Sequence, residues 1–330
     1  MLTGTAERSR MLATSFRRPV VRSAAFPKPR GWACVLALGL ALLVGCDKGA
    51  SSPSTPVSPT PPTSPIGASS EAFFIGAGDI GYCEPSGATP GATATAAIIE
   101  RMSGVVFTAG DNAYMHGRLT DFQQCYDKSW GRFKSRTWAT PGNHEYETPG
   151  ASGYFDYYGE RAGPYGVGYY SYDVGPWHVV SLNSEIPMSP GSAQAAWLRA
   201  DLQARRTACT AAIIHRPLLS SGPNGDNPGV RDLWQILAEA GADLVISGHD
   251  HHYERHAAID PNGVPSSRGM RLFTVGTGGA PIYRSGGLRP TSEAKVMEYG
   301  VIRFTFQPTG YRWEFHTSSG IVDSGVDVCH

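Results

Sequence analysis

The run GHDHHYER at residues 248–255 sets three imidazoles, His249, His251 and His252, within four positions. Neutral imidazole is a common metal ligand, and residues two apart in extended chain share a face, so His249 and His251 are able to converge on one point. A lone histidine at a strand end is more often structural than a ligand. Its meaning depends on which other donors reach the same place. Four further segments each end an apolar run in a polar signature: Asp79 after FFIGAG, Asp111, Asn112 and Tyr114 after VVFTAG, Asn143 and His144 after TWATPG, and His215 after TAAII. Carboxylate, phenol, amide oxygen and imidazole are all donors that a metal ion takes.

The elements that must position these groups are legible as short β-branched or aromatic runs. Strands are expected at 72–78, 105–110, 136–142, 177–183, 211–215, 243–249, 271–276, 301–306 and 311–316. Helices are expected at 92–102, 119–133, 192–205 and 229–241. The first half alternates strand and helix, and the end reads as antiparallel strands. This mixture predicts a layered α/β (α+β) protein with two mixed β-sheets. In such folds sites gather at the carboxyl ends of strands, where all five signatures lie.

Taken in order, Asp79-Ile80-Gly81, Gly110-Asp111-Asn112-Ala113-Tyr114, Gly142-Asn143-His144-Glu145, Ile213-Ile214-His215 and Gly248-His249-Asp250-His251 resemble the five blocks of the calcineurin-like metallophosphoesterases, and within them the purple acid phosphatases. One block alone is weak evidence; five in the correct order, spread over residues 71–316, are strong. The resemblance implies a four-layer αββα sandwich. It implies one metal on Asp79, Asp111, Tyr114 and His251 and another on Asp111, Asn143, His215 and His249, with Asp111 shared. In the first set two carboxylates and a phenol suit a trivalent ion such as Fe(III), in the second two imidazoles and a neutral amide oxygen suit Zn(II), Fe(II) or Mn(II), and two such ions side by side would activate a nucleophile and stabilise an in-line displacement. Most of the superfamily has Asp-x-His in the first block. Gly81 stands where that second ligand would be, and Tyr114 fills the vacancy as in the purple enzymes. The implied reaction is hydrolysis of phosphomonoesters by metal-bound hydroxide, with His144 as the acid for the leaving group. A phosphodiesterase or nucleotidase on the same scaffold is the alternative, and a non-catalytic surface lipoprotein a remoter one.

Other polar residues are less telling. His116 reads as site rim or surface, His252 as rim, as surface or, with the Tyr253-Glu254-Arg255 run, as a support behind His249 and His251, and Asn112 as a support for the ligands. Asn183 and Glu185 follow a strand and are able to approach the cleft. The run GTGG at 276–279 lacks the Lys and helix of a phosphate loop and reads as a tight turn near the metals.

The first 70 residues belong to something else. Residues 1–30 carry seven Lys or Arg against one Glu, Gly31–Gly45 has no charge, and Leu43-Val44-Gly45-Cys46 resembles a bacterial lipoprotein signal. Residues 1–45 are therefore expected to be a signal peptide, 46–70 a disordered Pro/Ser-rich tether and 71–330 the catalytic domain. The implied location is the cell envelope of a bacterium, with the membrane reached through lipidated Cys46. Because the whole chain is neutral, residues 31–330 are left at a net −6, which does not favour nucleic acid; the expected partner is a small phosphate ester. Cys83, Cys125, Cys209 and Cys329 remain, an even number that allows two disulfides in three connectivities. Chain order favours Cys83 with Cys125 and Cys209 with Cys329; free buried thiols are the alternative.

Overall fold

The computed structural model describes residues 71–205, 207–284 and 286–330, so the leader, the tether and Cys46 lie outside the described residues. In chain order the strands are β1 (Ala72–Ala77), β2 (Val105–Thr108), β3 (Thr137–Trp138), β4 (Tyr170–Val174), β5 (Trp177–Leu182), β6 (Cys209–Ile214), β7 (Leu244–Ser247), β8 (Tyr253–Ile259), β9 (Met270–Val275), β10 (Ser292–Val296), β11 (Gly300–Gln307), β12 (Gly310–Thr317) and β13 (Gly320–Val328). They form two mixed sheets, ordered β13-β12-β11-β1-β2-β3 and β10-β8-β9-β7-β6-β5-β4. In the first, β1, β2 and β3 run parallel and the C-terminal meander joins antiparallel to β1. In the second, β5, β6, β7 and β9 are parallel, with antiparallel strands at the flanks.

The period of two along the central strands explains the four layers. Trp177 and Val179 of β5, Ala211 and Ile213 of β6, and Leu244 and Ile246 of β7 pack into a core shared with Phe74, Phe107, Phe304 and Phe306 of the other sheet. The alternate residues Val180, Leu182, Ala212, Ile214 and Val245 pack instead with Leu198, Leu233, Trp234 and Leu237. These last come from helices Ala193–Ala204 and Arg231–Glu239. Both faces of the strands are therefore buried, which is why they read as unbroken apolar runs. On the first sheet, helix Pro90–Ile99 contributes Ala92, Ala96 and Ile99. Trp177 stacks on Phe306 with centroids 4.2 Å apart, joining the sheets directly.

Both disulfides have the pairing that chain order favoured, Cys83–Cys125 and Cys209–Cys329. The second ties the chain end beyond β13, at one edge of the first sheet, to β6 inside the second. Two expectations fail. The helix at 119–133 is broken into Leu119–Asp121, a π turn at Phe122–Tyr126 and a 3-10 turn at Trp130–Arg136. Cys125 is tethered to Cys83 there, and Phe122 and Tyr126 pack against Tyr157 and Tyr158, so tertiary contacts override local helix preference. Strands β4, β8, β10 and β13 were not anticipated. Of these β8 is the polar tail of GHDHHYER, whose charged residues hide a strand from any hydrophobic pattern.

Candidate metal centre

Six of the seven predicted ligands lie shortly past a strand end, and Tyr114 comes later in the loop that follows β2. Asp79 follows β1, Asp111 follows β2, Asn143 opens a short helical turn (Asn143–Tyr146) after β3, His215 follows β6, and His249 and His251 occupy the turn between β7 and β8. Asp79, Asp111 and His249 hold φ of 60°, 48° and 70°. Among the described residues only Ala151 joins them as a non-glycine with positive φ. Such a backbone costs of order 1–3 kcal/mol per residue and persists where the surroundings enforce it. Here the Asp79 N–H donates to Gly110 O at 3.0 Å, and the His249 N–H donates to Asp79 Oδ2 at 2.9 Å.

The seven side chains divide into two groups joined by one atom. The Tyr114 hydroxyl lies 2.9 Å from Asp79 Oδ1 and 3.0 Å from His251 Nε2, and His251 Nε2 is 3.2 Å from Asp79 Oδ1. His215 Nε2 lies 3.2 Å from Asn143 Oδ1, and His249 offers a nitrogen within 4.8 Å of the donor atoms of Asp111 and His215. Asp111 Oδ2 is 3.2 Å from the Tyr114 hydroxyl and 3.2 Å from His215 Nε2, and so belongs to both groups. His249 and His251 thus serve different groups. The φ of His249 breaks the extended chain that would have pointed them at one place.

The donor chemistry fits a pair of cations. His215 Nδ1 faces the Ala109 carbonyl at 2.8 Å and His251 Nδ1 faces the Pro281 carbonyl at 2.8 Å. A carbonyl only accepts, so each Nδ1 carries the proton and each neutral ring turns the Nε2 lone pair inward, toward other acceptors. Acceptors crowded on acceptors need a positive charge between them. Without ions, protons supply it. Burial opposes a charge on His215, but Asp111 outweighs it and raises the imidazole to about 10; for His251, burial is likewise outweighed by Asp79. Burial also works against an ionised Asp111, yet His215 and then His144 keep it well below the usual carboxylate range. Burial, followed by Asp79 and Asp111, pushes the Tyr114 phenol far up. Burial, then His215 and Arg216, hold His249 down at about 4.

His144 stands beside the centre without joining either group. Its ring packs on Tyr114 at 4.3 Å, Nδ1 faces the Met115 carbonyl at 2.6 Å, and Nε2 is 3.8 Å from Asp111 Oδ2. Gly81, the position of the missing histidine, has no room for a side chain: a Cβ would lie 2.7 Å from Asn112 O and 3.1 Å from Tyr126.

Other buried groups hold the ligand loops in place. The buried Glu145 accepts backbone N–H groups from Gly142 at 2.7 Å, Asn112 at 2.8 Å and Ala113 at 3.3 Å, clamping the Asp111 and Asn143 loops together. Burial and the Asp111 charge push its carboxyl up to about 8. Asp250 and Glu254 hold the loop after His215: the Asn224 N–H donates to Asp250 Oδ1 at 3.0 Å and the Ser221 N–H to Glu254 Oε2 at 2.9 Å. His252 is fully buried, 3.1 Å from Glu254, which agrees with its reading as a support and not with rim or surface. His116 is exposed, and Asn112 donates to Glu145 and to the Thr140 carbonyl. The turn at Gly276–Gly279 packs on the first group, with the Ala280 N–H donating to Asp79 O at 2.8 Å. Asn183 is buried, whereas Glu185 reaches the cleft and binds Arg216.

Two mixed sheets between helical layers, with a shared carboxylate joining two donor groups at the strand ends, define a metallophosphoesterase-like arrangement. Residues 74–253, more than half of the chain, match the family model described as calcineurin-like phosphoesterase, and the chain belongs to that family. It is similar to purple acid phosphatase 21 of Arabidopsis thaliana, 31% identical over 196 residues that cover 53% of this chain and 44% of that protein. It is also similar to probable purple acid phosphatase 20 of the same plant, 29% identical over 62% of this chain and 55% of that protein. The chain thus spans about half the length of these relatives. Among solved structures, the purple acid phosphatase PPD1 from yellow lupin (Lupinus luteus) seeds superposes with a TM-score of 0.66 at 22% identity, covering 78% of this chain and 54% of that one. GAP50, the anchor in the inner membrane complex of Plasmodium, gives 0.60 at 16% identity, over 79% and 89%. At these identities the structures speak for the fold alone.

Proposed function

We propose that the chain hydrolyses small phosphomonoesters with a dinuclear centre of Fe(III) and a divalent ion, Zn(II), Fe(II) or Mn(II). Asp79, Tyr114 and His251 hold the first ion, Asn143, His215 and His249 the second, and Asp111 both. The observation that carries this reading is the single oxygen, Asp111 Oδ2, at 3.2 Å from a donor of each group. The purple acid phosphatase relatives, similar across about half their length, support it.

Bound there, the ions supply Lewis acidity at phosphorus and offset the charge of the phosphoryl group. The chain's own residues do the rest. The carbonyls of Ala109 and Pro281 fix two imidazoles in their ligating tautomer. Glu145 sets the spacing between Asp111 and Asn143. His144, with Nδ1–H anchored on Met115 O, presents Nε2 to the cleft, and a proton carried on Nε2 passes to the departing alkoxide.

The same reading makes the chain an exported lipoprotein anchored at Cys46, for which two disulfides in the catalytic domain are suitable equipment. The test is purified protein with its metals quantified and its rates compared on p-nitrophenyl phosphate, bis(p-nitrophenyl) phosphate and a nucleoside 5′-monophosphate. Two ions per chain and preference for the simple monoester are expected. Faster diester or nucleotide turnover would replace the monoesterase reading, and no turnover with both ions bound would end it.

A further inference from the structure

Arg216 directly follows the ligand His215, and Glu185 grips its guanidinium: Nε donates to Glu185 Oε1 at 2.8 Å and Nη2 to Glu185 Oε2 at 3.0 Å. The remaining nitrogen, Nη1, lies 3.1 Å from His249 Nε2. Guanidinium only donates, so in this state Nε2 accepts.

That contact is incompatible with an ion on the second donor group. Were Nε2 the ligating nitrogen, the metal would take its lone pair. Were Nδ1 the ligating nitrogen, the neutral ring would carry its proton on Nε2, and two donors would face each other. Either way Nη1 loses its acceptor. The two bonds to Glu185 do not involve His249 and persist, and the Arg216 side chain is 26% exposed, so the released N–H groups reach the cleft. Glu185 is itself fixed, accepting from Ser184 Oγ at 2.8 Å and donating its backbone N–H to Asn183 Oδ1 at 3.0 Å.

We infer that Arg216 is a phosphate-oxygen ligand uncovered by metal loading: occupied by His249 when the second site is empty, free to bind the non-bridging oxygens of a phosphomonoester once an ion is seated. A planar donor held in place by its own carboxylate suits bidentate oxyanion recognition. Loading and substrate capture are thereby coupled in one side chain. The inference rests on the phosphatase reading and adds a substrate contact that the seven ligands and His144 do not provide.

Two binding measurements, neither using turnover, test it. With two Zn(II) per chain, titration with inorganic phosphate is expected to show binding weakened roughly tenfold or more in Arg216→Met. A smaller loss is expected in Arg216→Lys, which keeps charge without the fork, and in Glu185→Gln, which loosens it. Without phosphate, chelator competition is expected to show tighter Zn(II) at the weaker site in Arg216→Met, because a rival donor and a like charge are gone. Unchanged phosphate affinity in a folded, zinc-loaded Arg216→Met would overturn the assignment and leave the phosphatase reading standing. Weaker Zn(II) in that variant would overturn the uncovering, making Arg216 a mere support for His249. Wild-type protein that takes two Zn(II) but binds no phosphate would overturn both. Should Arg216→Met not fold, Arg216→Lys and Glu185→Gln carry the same comparison.

Discussion

Asp79 Oδ2 accepts the backbone N–H of His249 at 2.9 Å across 170 positions of sequence, so a residue of one donor group fixes the backbone of a residue in the other. The contact stands at a φ of 70°, a conformation uncommon for residues other than glycine. Asp79→Ala is therefore expected to cost both ions, not one: metal analysis should fall from two per chain to below one. Retention of a single tightly held ion would show that the groups are set independently.

Tyr114→Phe removes a ligand and leaves the loop contacts alone. A phenolate on Fe(III) absorbs in the visible, so the wild-type iron form is expected to be coloured and the variant colourless at equal iron content. The wild-type spectrum also bears on pH. In the ion-free protein Tyr114 is raised far above its ordinary value and His215 to about 10, so both hold protons at neutral pH. Ions must displace them. Metal uptake is expected to release protons and to tighten as pH rises from about 6 to 8. Uptake independent of pH would contradict these ligand assignments.

How much of this was readable from the chain alone follows from which interactions are local. The five strand ends were legible because strands buried on both faces are written as continuous apolar runs, and each run stops at its polar signature. Glu145 was not: nothing adjacent in sequence marks a carboxylate as the acceptor of three N–H groups from two loops. A supporting place for Glu254 in the tail of the histidine run was legible, but what it and Asp250 hold was not, since their partners Ser220, Ser221 and Asn224 are some 30 residues away. For β8 the failure is one of pattern, because its Glu254 and His256 are buried by pairing with each other. The Arg216–Glu185 pair likewise needs β5 and β6 aligned before either residue has a partner.

His144→Ala should keep both ions, since its ring joins neither donor group; its backbone N–H, which donates to Asp111 Oδ1 at 2.9 Å, survives the change. A general acid is worth about 10²–10⁴ in rate, and most where the leaving group is a poor one. Alkyl phosphates are expected to slow far more than p-nitrophenyl phosphate. Equal slowing of the two would assign the ring to substrate positioning.

The last prediction lies away from the centre. His178 of β5 is fully buried between Asp173, 3.1 Å from Nδ1, and Asp201, 2.7 Å from Nε2. Burial opposes protonation, but Asp201 and then Asp173 outweigh it, so the folded His178 is raised above 6.5. Burial likewise opposes the charge on Asp201, but His178 and Ser171 outweigh it and depress it below 3.8. The raised imidazole stabilises fully below its unfolded value, and that contribution fades as pH rises through the folded one. The depressed carboxyl stabilises fully above its unfolded value and fades as pH falls through the folded one. Both are present together between about pH 4 and 6.5. His178→Gln is therefore expected to cost about 2 kcal/mol at pH 5.5, by denaturant unfolding, and progressively less in alkaline buffer. A penalty that grew with pH would mean that the imidazole is held neutral, with the carboxylates bound to something else.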